Sequence, residues 1–379
     1  MRIAVINLTG GGISGGYRNY LVGILPRLAS DPHITEILCA APPSLEAETW
    51  LPSMPKIRFT RCEPFRFMRH RPDPRLKTEL DGFKPDIIFV PLERRMKYRD
   101  LPVVTMLQNM APISGVRVAS GILDKAKYLV KGFETRLAFR SAAAVIAPTE
   151  YVKNSLIRTL RLKEDKVFTV HYGSNPLPKS VRPASPLASG GHPDQFILTA
   201  GSIEVYRGIE DLIQAMVPLK RLFPGLKLLV AGGVRAGTQR YFQGLKKFAG
   251  RLNLAEEIVW LGHLPAEELS WCYRNCLAFA MTSREESFGF VALEALEHGC
   301  NCVSTSSSCL PEIFKDAALY YEPGDVAALE KALLAVLKRT PAEQAYFKAI
   351  AVGRASEFSW DTAAVKTLEI LKKAADISR

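Results

Sequence analysis

Short apolar runs alternate along the chain with longer stretches in which apolar residues recur at helical spacing. Arg2 to Asn7 (RIAVIN) is one such run, and it passes into a glycine-rich loop, Thr9 to Gly16 (TGGGISGG). The next stretch, YRNYLVGILPRLAS, places Leu21, Ile24, Leu25 and Leu28 on one helical face. Further runs at 36–40, 86–91, 102–107 and 143–147 predict strands, with helical segments between several of them. Residues 174–194 (SNPLPKSVRPASPLASGGHPD) are dominated by Pro, Ser and Gly and read as a linker. Beyond it the alternation restarts, with strands expected at 196–200, 226–231, 258–262, 277–281 and 302–306 and a helix at 208–222. Strands alternating with helices predict parallel sheets covered on both faces. The expected architecture is therefore α/β, with two doubly wound domains. Ligands of such sheets bind outside the carboxyl ends of the strands, so the cleft between two facing sheets is the expected site.

Composition agrees with a folded protein: 379 residues, 47% hydrophobic and 23% charged, enough to bury two cores. The seven cysteines are odd in number and suggest no disulfide framework. Cys300-Asn301-Cys302 lies beside His298, but the Cys-x-x-Cys and His-x-x-x-His spacings of metal sites are missing, so reduced thiols and no metal are expected. The N-terminal apolar run is too short for a signal peptide, and no run approaches the ~18 apolar residues of a membrane span, which predicts a cytoplasmic protein.

Charge changes the picture. Residues 1–190 carry 29 Lys and Arg against 16 Asp and Glu, whereas residues 191–379 carry 21 against 22. The excess is densest at 56–77 and 93–99, where Phe59, Phe65, Phe67, Met68 and Tyr98 interleave with the cations. Such segments suit the inner face of a plasma membrane, where anionic lipid contributes ~1 kcal/mol per basic side chain. They equally suit a solvated basic face. Nucleic acid is not expected as a partner, since no recognised binding motif accompanies the charge. Lys125, Lys127 and Lys131 add a basic helix that would meet membrane or water.

The stretch REESFGFVALEALEHG (284–299) carries the clearest chemistry. It follows an apolar strand and reads as a loop up to Ser287 and a helix from Phe288 to His298, with Gly299 as its stop. The first N–H groups of such a helix are unsatisfied and favour phosphate oxygens. Gly289 lets a ligand approach the backbone. Glu286 stands before the helix and can accept bonds from a polyol, and Glu294 lies within it, where a carboxylate can take both hydroxyls of a ribose diol. This spacing suits a nucleotide sugar, and it also suits an amphipathic helix with solvated glutamates.

EESFGFVALEALEHGC resembles the E-x7-E signature of the retaining nucleotide-sugar glycosyltransferases of GT-B fold. GGYRNYL (15–21), PVVTMLQNMAP (102–112), SAAAVIAPTEYVKNSL (141–156), GSIEVYRGIEDLIQA (201–215), LPEIFKDAALYYEPGDVAALEKAL (310–333) and FSWDTAAV (358–365) resemble further family segments in the family's order. The resemblance implies an acceptor domain at 1–185, a donor domain at 186–357 and terminal helices at 358–379 that return to the first domain. It also implies that Glu286 contacts the donor sugar, that Phe288, Gly289 and Phe290 lie along sugar and phosphate, and that Glu294 holds the ribose. Gly15 and Gly16 would approach the diphosphate, and Arg207 stands where the family has a diphosphate-binding lysine. Two departures stand out: Ser202 replaces a frequent arginine, and Gln108 replaces a frequent histidine near the donor sugar.

The implied reaction moves a sugar from a nucleoside diphosphate sugar, UDP or GDP, to the hydroxyl of a saccharide or lipid-linked acceptor, with retention. Catalysis would rest on Glu286, Arg207 and Gln108. No cofactor is expected, and no divalent ion, since the 379 residues contain no Asp-x-Asp. An epimerase or phosphorylase on the same fold, or a scaffold without diphosphate affinity, are the alternatives. His171, His263 and His298 read as structural.

Overall fold

The computed structural model describes the chain except residues 10–14, 65, 67–69, 111–112, 114–121, 176–177, 184–194 and 377–379, with residues 122–128 described by backbone alone. Two compact units result. One comprises the described residues up to Gly173 together with those from Phe358 onward, and the other is Ser174–Glu357. The division falls ahead of the expected position 185, which lies outside the described residues.

The first unit holds a parallel sheet of β1 (Arg2–Ile6), β2 (Glu36–Ala41), β3 (Ile57–Arg61), β4 (Ile87–Val90), β5 (Val103–Met106), β6 (Ala144–Ala147) and β7 (Val167–Thr169), in the order β3-β2-β1-β4-β5-β6-β7. The central strands are apolar at nearly every position because helices cover both faces, and every side chain in them except Arg2 is buried. β3 was missed in the sequence, where 56–77 read only as a basic surface segment. Its register pairs Ile37 with Ile57 and Ala41 with Arg61, so part of that segment is an edge strand. Its pattern is half-apolar, and cations on an edge discourage pairing with a further chain.

The second unit holds β8 (Phe196–Ala200), β9 (Lys227–Ala231), β10 (Ile258–Gly262), β11 (Ala278–Met281), β12 (Cys302–Thr305) and β13 (Ala318–Tyr321). All ladders are parallel, in the order β10-β9-β8-β11-β12-β13. This is the doubly wound order, and strand order reverses between β8 and β11. Among the described residues no helix is long and apolar enough to cross a membrane.

The helix Trp360–Asp376 packs on the helix Gly15–Ser30 within the first unit. Trp360 stacks on Tyr172 at 6.0 Å and meets Tyr20 edge-on at 6.2 Å. Gly23 and Gly173 make room for it, since a Cβ at either position would lie inside the van der Waals envelope of Trp360. Gly23→Ala is expected to lower stability to urea by about 1–3 kcal/mol through overpacking. Trp360→Ala is expected to cost about 3–5 kcal/mol through the cavity it leaves. Equilibrium unfolding of the two variants checks both values.

Candidate functional site

At the reversal of strand order in the second sheet, two loops leave the carboxyl ends of adjacent strands. β8 opens into Gly201–Gly208 and β11 into Thr282–Gly289. The loops are laced together by backbone-directed bonds. Thr282 Oγ1 donates to the Arg207 carbonyl at 2.6 Å, and the Arg284 N–H donates to the Tyr206 carbonyl at 2.7 Å.

Arg207 ends a short 3-10 turn, Val205–Arg207, and its guanidinium folds back over Gly201. A Cβ on Gly201 would stand 2.8 Å from the guanidinium carbon, and Gly201 has φ +115°, so glycine is required twice over. Nη1 meets Glu286 Oε1 at 2.9 Å, and Ser283 Oγ donates to the same oxygen at 3.1 Å. The Arg207 and Glu286 side chains keep only 15% and 12% of their exposure. Burial pulls the Arg207 guanidinium down, but the Glu286 carboxylate outweighs it and the net direction is upward. The cation is therefore permanent. Its Nε–H is buried without a partner among the described residues. A buried N–H at a loop mouth calls for an acceptor, and an anionic oxygen would satisfy it.

The helix Phe290–Glu297 starts at Gly289, whose φ of +84° belongs to the left-handed region. Phe288 is buried, and its ring packs on Phe290 at 5.3 Å. Glu294 sits on this helix, and the Tyr273 hydroxyl donates to its Oε2 at 3.0 Å. Burial raises the Glu294 carboxyl, while the Tyr273 hydroxyl and the Arg207 charge draw it back down. Tyr273 is held in turn by His298, stacked at 5.0 Å. His298 Nδ1 lies 2.7 Å from the Glu294 carbonyl and its Nε2 lies 2.9 Å from Ser270 Oγ, so this histidine is structural. One helical turn on, Glu297 accepts from the Asn175 N–H at 3.1 Å, and burial lifts its carboxyl to about 7.

Below the loops, Arg284 braces the helix Ile209–Leu222. Nη1 donates to Glu210 at 2.9 Å, and Nη2 reaches both Asp211 oxygens at 2.9 and 3.0 Å. Tyr241 donates to Glu210 at 2.6 Å, and the Gly324 N–H to Asp211 at 3.1 Å. Both carboxylates occupy the first turn of the helix, where its dipole favours them. Gly208, at φ +61°, lets the chain turn into that helix beneath the Thr282 carbonyl.

Two family profiles divide the chain. The one described as "Glycosyl transferases group 1" matches residues 189–351, and "Glycosyltransferase Family 4" matches residues 14–176. The chain belongs to the GT-B glycosyltransferases. A D-inositol 3-phosphate glycosyltransferase of Streptomyces scabiei (strain 87.22) is 29% identical over 283 residues, which take in 72% of this chain and 63% of that relative. The match thus covers less than two thirds of the relative's length. Among solved structures, sucrose-phosphate synthase from Thermosynechococcus elongatus superposes with a TM-score of 0.72 at 18% identity, covering 98% of each chain. Anabaena HepE in complex with UDP gives 0.72 at 18% identity, covering 98% of this chain and 100% of its own.

Within this GT-B chain, Ser202, Arg207, Glu286, Phe288, Gly289, Phe290 and Glu294 all belong to the two loops and the helix at the reversal point of one sheet. Gly15, Gly16 and Gln108 belong to the other unit. Gly15 and Gly16 open the helix Gly15–Ser30. Gln108 follows β5, where its Oε1 accepts from the Tyr172 hydroxyl at 3.0 Å and its Nε2 donates to the Pro91 carbonyl at 3.3 Å. Glu93, three residues beyond β4, accepts the backbone N–H groups of Gln108 and Asn109, and burial raises its carboxyl. Sequence reasoning missed Gly201, Tyr273, Ser283, Glu93 and the Arg284–Glu210–Asp211 brace. Gly201 was within reach, as a glycine directly after a strand. Tyr273 was not, because on its helix it reads as one more apolar-face residue.

Arg284→Ala is expected to cost about 3 kcal/mol, since it leaves the buried Asp211 carboxylate without its cation. Arg284→Lys recovers only part of this, because an ammonium cannot span both carboxylates. Glu297 generates a pH dependence. A carboxyl raised to about 7 by burial contributes stability that is fully present below its ordinary value near 4.5 and is lost as pH rises through 7. Glu297→Gln, which keeps the acceptor for Asn175, is expected to unfold at a higher temperature than the parent above pH 7. The gap closes towards pH 4.5, as thermal melts across that range check.

Proposed function

We propose that the protein is a retaining glycosyltransferase that moves a sugar from a nucleoside diphosphate sugar to the hydroxyl of a saccharide or lipid-linked precursor. The observation that carries the reading is the buried Arg207 cation, clamped by Glu286 at a strand-end crevice with one N–H still unsatisfied. The UDP held by the structural relative HepE and the transferase names of the relatives support it. In this reading Glu286 and Glu294 are the two glutamates of an E-x7-E signature. Glu294, fixed by Tyr273 through Oε2, turns its remaining lone pairs to the ribose diol. The diphosphate takes the Arg207 Nε–H and the amides at Gly289 and Phe290, and Glu286 takes sugar hydroxyls.

The chemistry is electrostatic. As the glycosidic bond to the diphosphate breaks, negative charge builds on the leaving oxygen, and a preset guanidinium and helix terminus stabilise it without reorganising. The leaving phosphate then accepts the proton of the incoming hydroxyl on the same face of the sugar, which retains configuration. The proposal includes independence from divalent metal, since Arg207 supplies the charge a cation would otherwise bring. Gly15 and Gly16 are assigned to the diphosphate, Gln108 to the donor sugar, and Ser202 to a hydrogen bond on the diphosphate. The protein would act in the cytoplasm, at the inner membrane face where lipid-linked precursors are built.

Thermal melts with UDP, GDP, ADP, dTDP and CMP test this. At one hundred times its dissociation constant, a bound nucleotide adds ~2.7 kcal/mol to stability. One diphosphate is expected to shift the melt equally with magnesium and with EDTA, and to lose the shift in Glu294→Ala. Arg207→Ala is expected to lower turnover by about 10²–10³ with the cognate donor, the usual cost of one preorganised charge-stabilising donor. A chain that no nucleotide stabilises would be a scaffold rather than an enzyme. Conversion of the donor without an acceptor would point to an epimerase or phosphorylase.

A further inference from the structure

Six of the seven cysteines are buried, and Cys276 alone is partly exposed. Cys276 closes the helix Ala266–Asn275, which carries Tyr273. Cys300 follows the helix Phe290–Glu297, just past the turn at Gly299. The two thiols meet on one acceptor. Cys276 Sγ donates to the Tyr273 carbonyl at 3.3 Å, Cys300 Sγ donates to the same carbonyl at 3.2 Å, and the sulfurs lie 3.9 Å apart. Tyr273 is thus engaged at both ends: its carbonyl takes the two thiols, and its hydroxyl holds Glu294 at 3.0 Å.

A thiol reacts as its thiolate, so burial protects most of the seven. It pushes Cys39, Cys62 and Cys272 up to about 12 and lifts Cys300, Cys302 and Cys309 well above the usual thiol range. An oxidant arriving from solvent therefore meets Cys276 first, and Cys300 is the thiol in contact behind it. A disulfide needs its sulfurs about 2.05 Å apart, so a movement of about 2 Å closes the pair.

We infer that Cys276 is a site of reversible thiol oxidation, resolved by Cys300 into a disulfide that loosens the hold of Tyr273 on Glu294. With oxidised glutathione as the oxidant, the Cys276 thiolate attacks one glutathione sulfur. The other half leaves as a thiolate and takes up the proton that Cys276 gave. The Cys300 sulfur then attacks Cys276 Sγ, and its proton passes to the second glutathione as that thiol leaves. Two protein thiols are oxidised, one glutathione disulfide is reduced to two thiols, and no further reactant is needed. The product has no S–H donor, so the Tyr273 carbonyl loses both bonds, and the ends of the two helices that bear Tyr273 and Glu294 take up the movement. The effect on nucleotide rests on the reading of Glu294 as the ribose contact, whereas formation of the bond does not.

Thiol counting with a maleimide, on the denatured full chain before and after treatment with oxidised glutathione, is the first test. The treated chain is expected to label two fewer thiols, and dithiothreitol to restore both. Cys276→Ser is expected to lose none. Cys300→Ser is expected to stop at the mixed disulfide, seen by mass spectrometry as one added glutathione. Full labelling of the treated parent chain, or a pair lost in either variant, overturns the disulfide. Thermal melts show whether each variant is folded, and Cys276→Ser decides the matter alone should Cys300→Ser not fold. The diphosphate that stabilises the reduced chain is expected to bind the oxidised chain about three- to tenfold more weakly, the worth of one hydrogen bond. Reduced Tyr273→Phe is expected to bind as weakly, and oxidation to weaken it no further. Equal affinity of the oxidised and reduced chains overturns the link to Glu294. Hydrogen exchange over residues 290–297, expected to be faster after oxidation, reads that link without ligand, and unchanged exchange counts against it. A chain that forms the disulfide and exchanges faster but binds no nucleotide contradicts the transferase reading and leaves the switch standing.

Discussion

A guanidinium and a carboxylate withdrawn from water hold each other 2.9 Å apart at the mouth of the second sheet. Such a pair gains little stability for itself, because desolvating both ions costs about what their attraction returns. What it accomplishes is to keep a cation in a fixed, largely buried position, so that the charge is preset rather than assembled. The surrounding residues make that position possible. Gly201 lets the guanidinium fold over the backbone, Ser283 holds the carboxylate from its second side, and Arg284 locks the supporting helix from below.

The helix that carries Glu294 shows the same economy. Its first turn faces the crevice, and its carboxylates are raised by burial rather than left to water. Tyr273 restrains Glu294 with one hydrogen bond, enough to fix a rotamer while leaving acceptor capacity for a ligand. His298 contributes through both ring nitrogens and its stacked face, as a spacer between helix and tyrosine rather than as an acid or base.

The first unit answers other constraints. Trp360 is the wedge around which Tyr20, Tyr172, Gly23 and Gly173 are arranged, so residues at the far end of the sequence complete a core begun near its start. Its charge is likewise sorted by tertiary contacts. The basic residues densest in sequence lie near acids, while a sparser set on the helix Ile122–Ser141 stands beside exposed apolar side chains.

Some of this was legible in the residues alone. Short continuous apolar runs alternating with helical spacing fit parallel strands buried on both faces, which determined the two α/β units and most strand positions. β3 escaped because its pattern is half-exposed and mixed, and β13 because its run is only four residues, ALYY. Glu286, Gly289 and Glu294 were legible because a loop, a helix start and a helical carboxylate are local features. Tyr273, Gly201 and the Arg284 brace were not, because each matters through a partner distant in sequence. Arg207 and Glu286 stand far apart along the chain, and only the adjacency of β8 and β11 brings them into contact. Local propensity acts over a few residues. Which strand lies beside which, and therefore which charge meets which, is decided by the packing of the whole sheet.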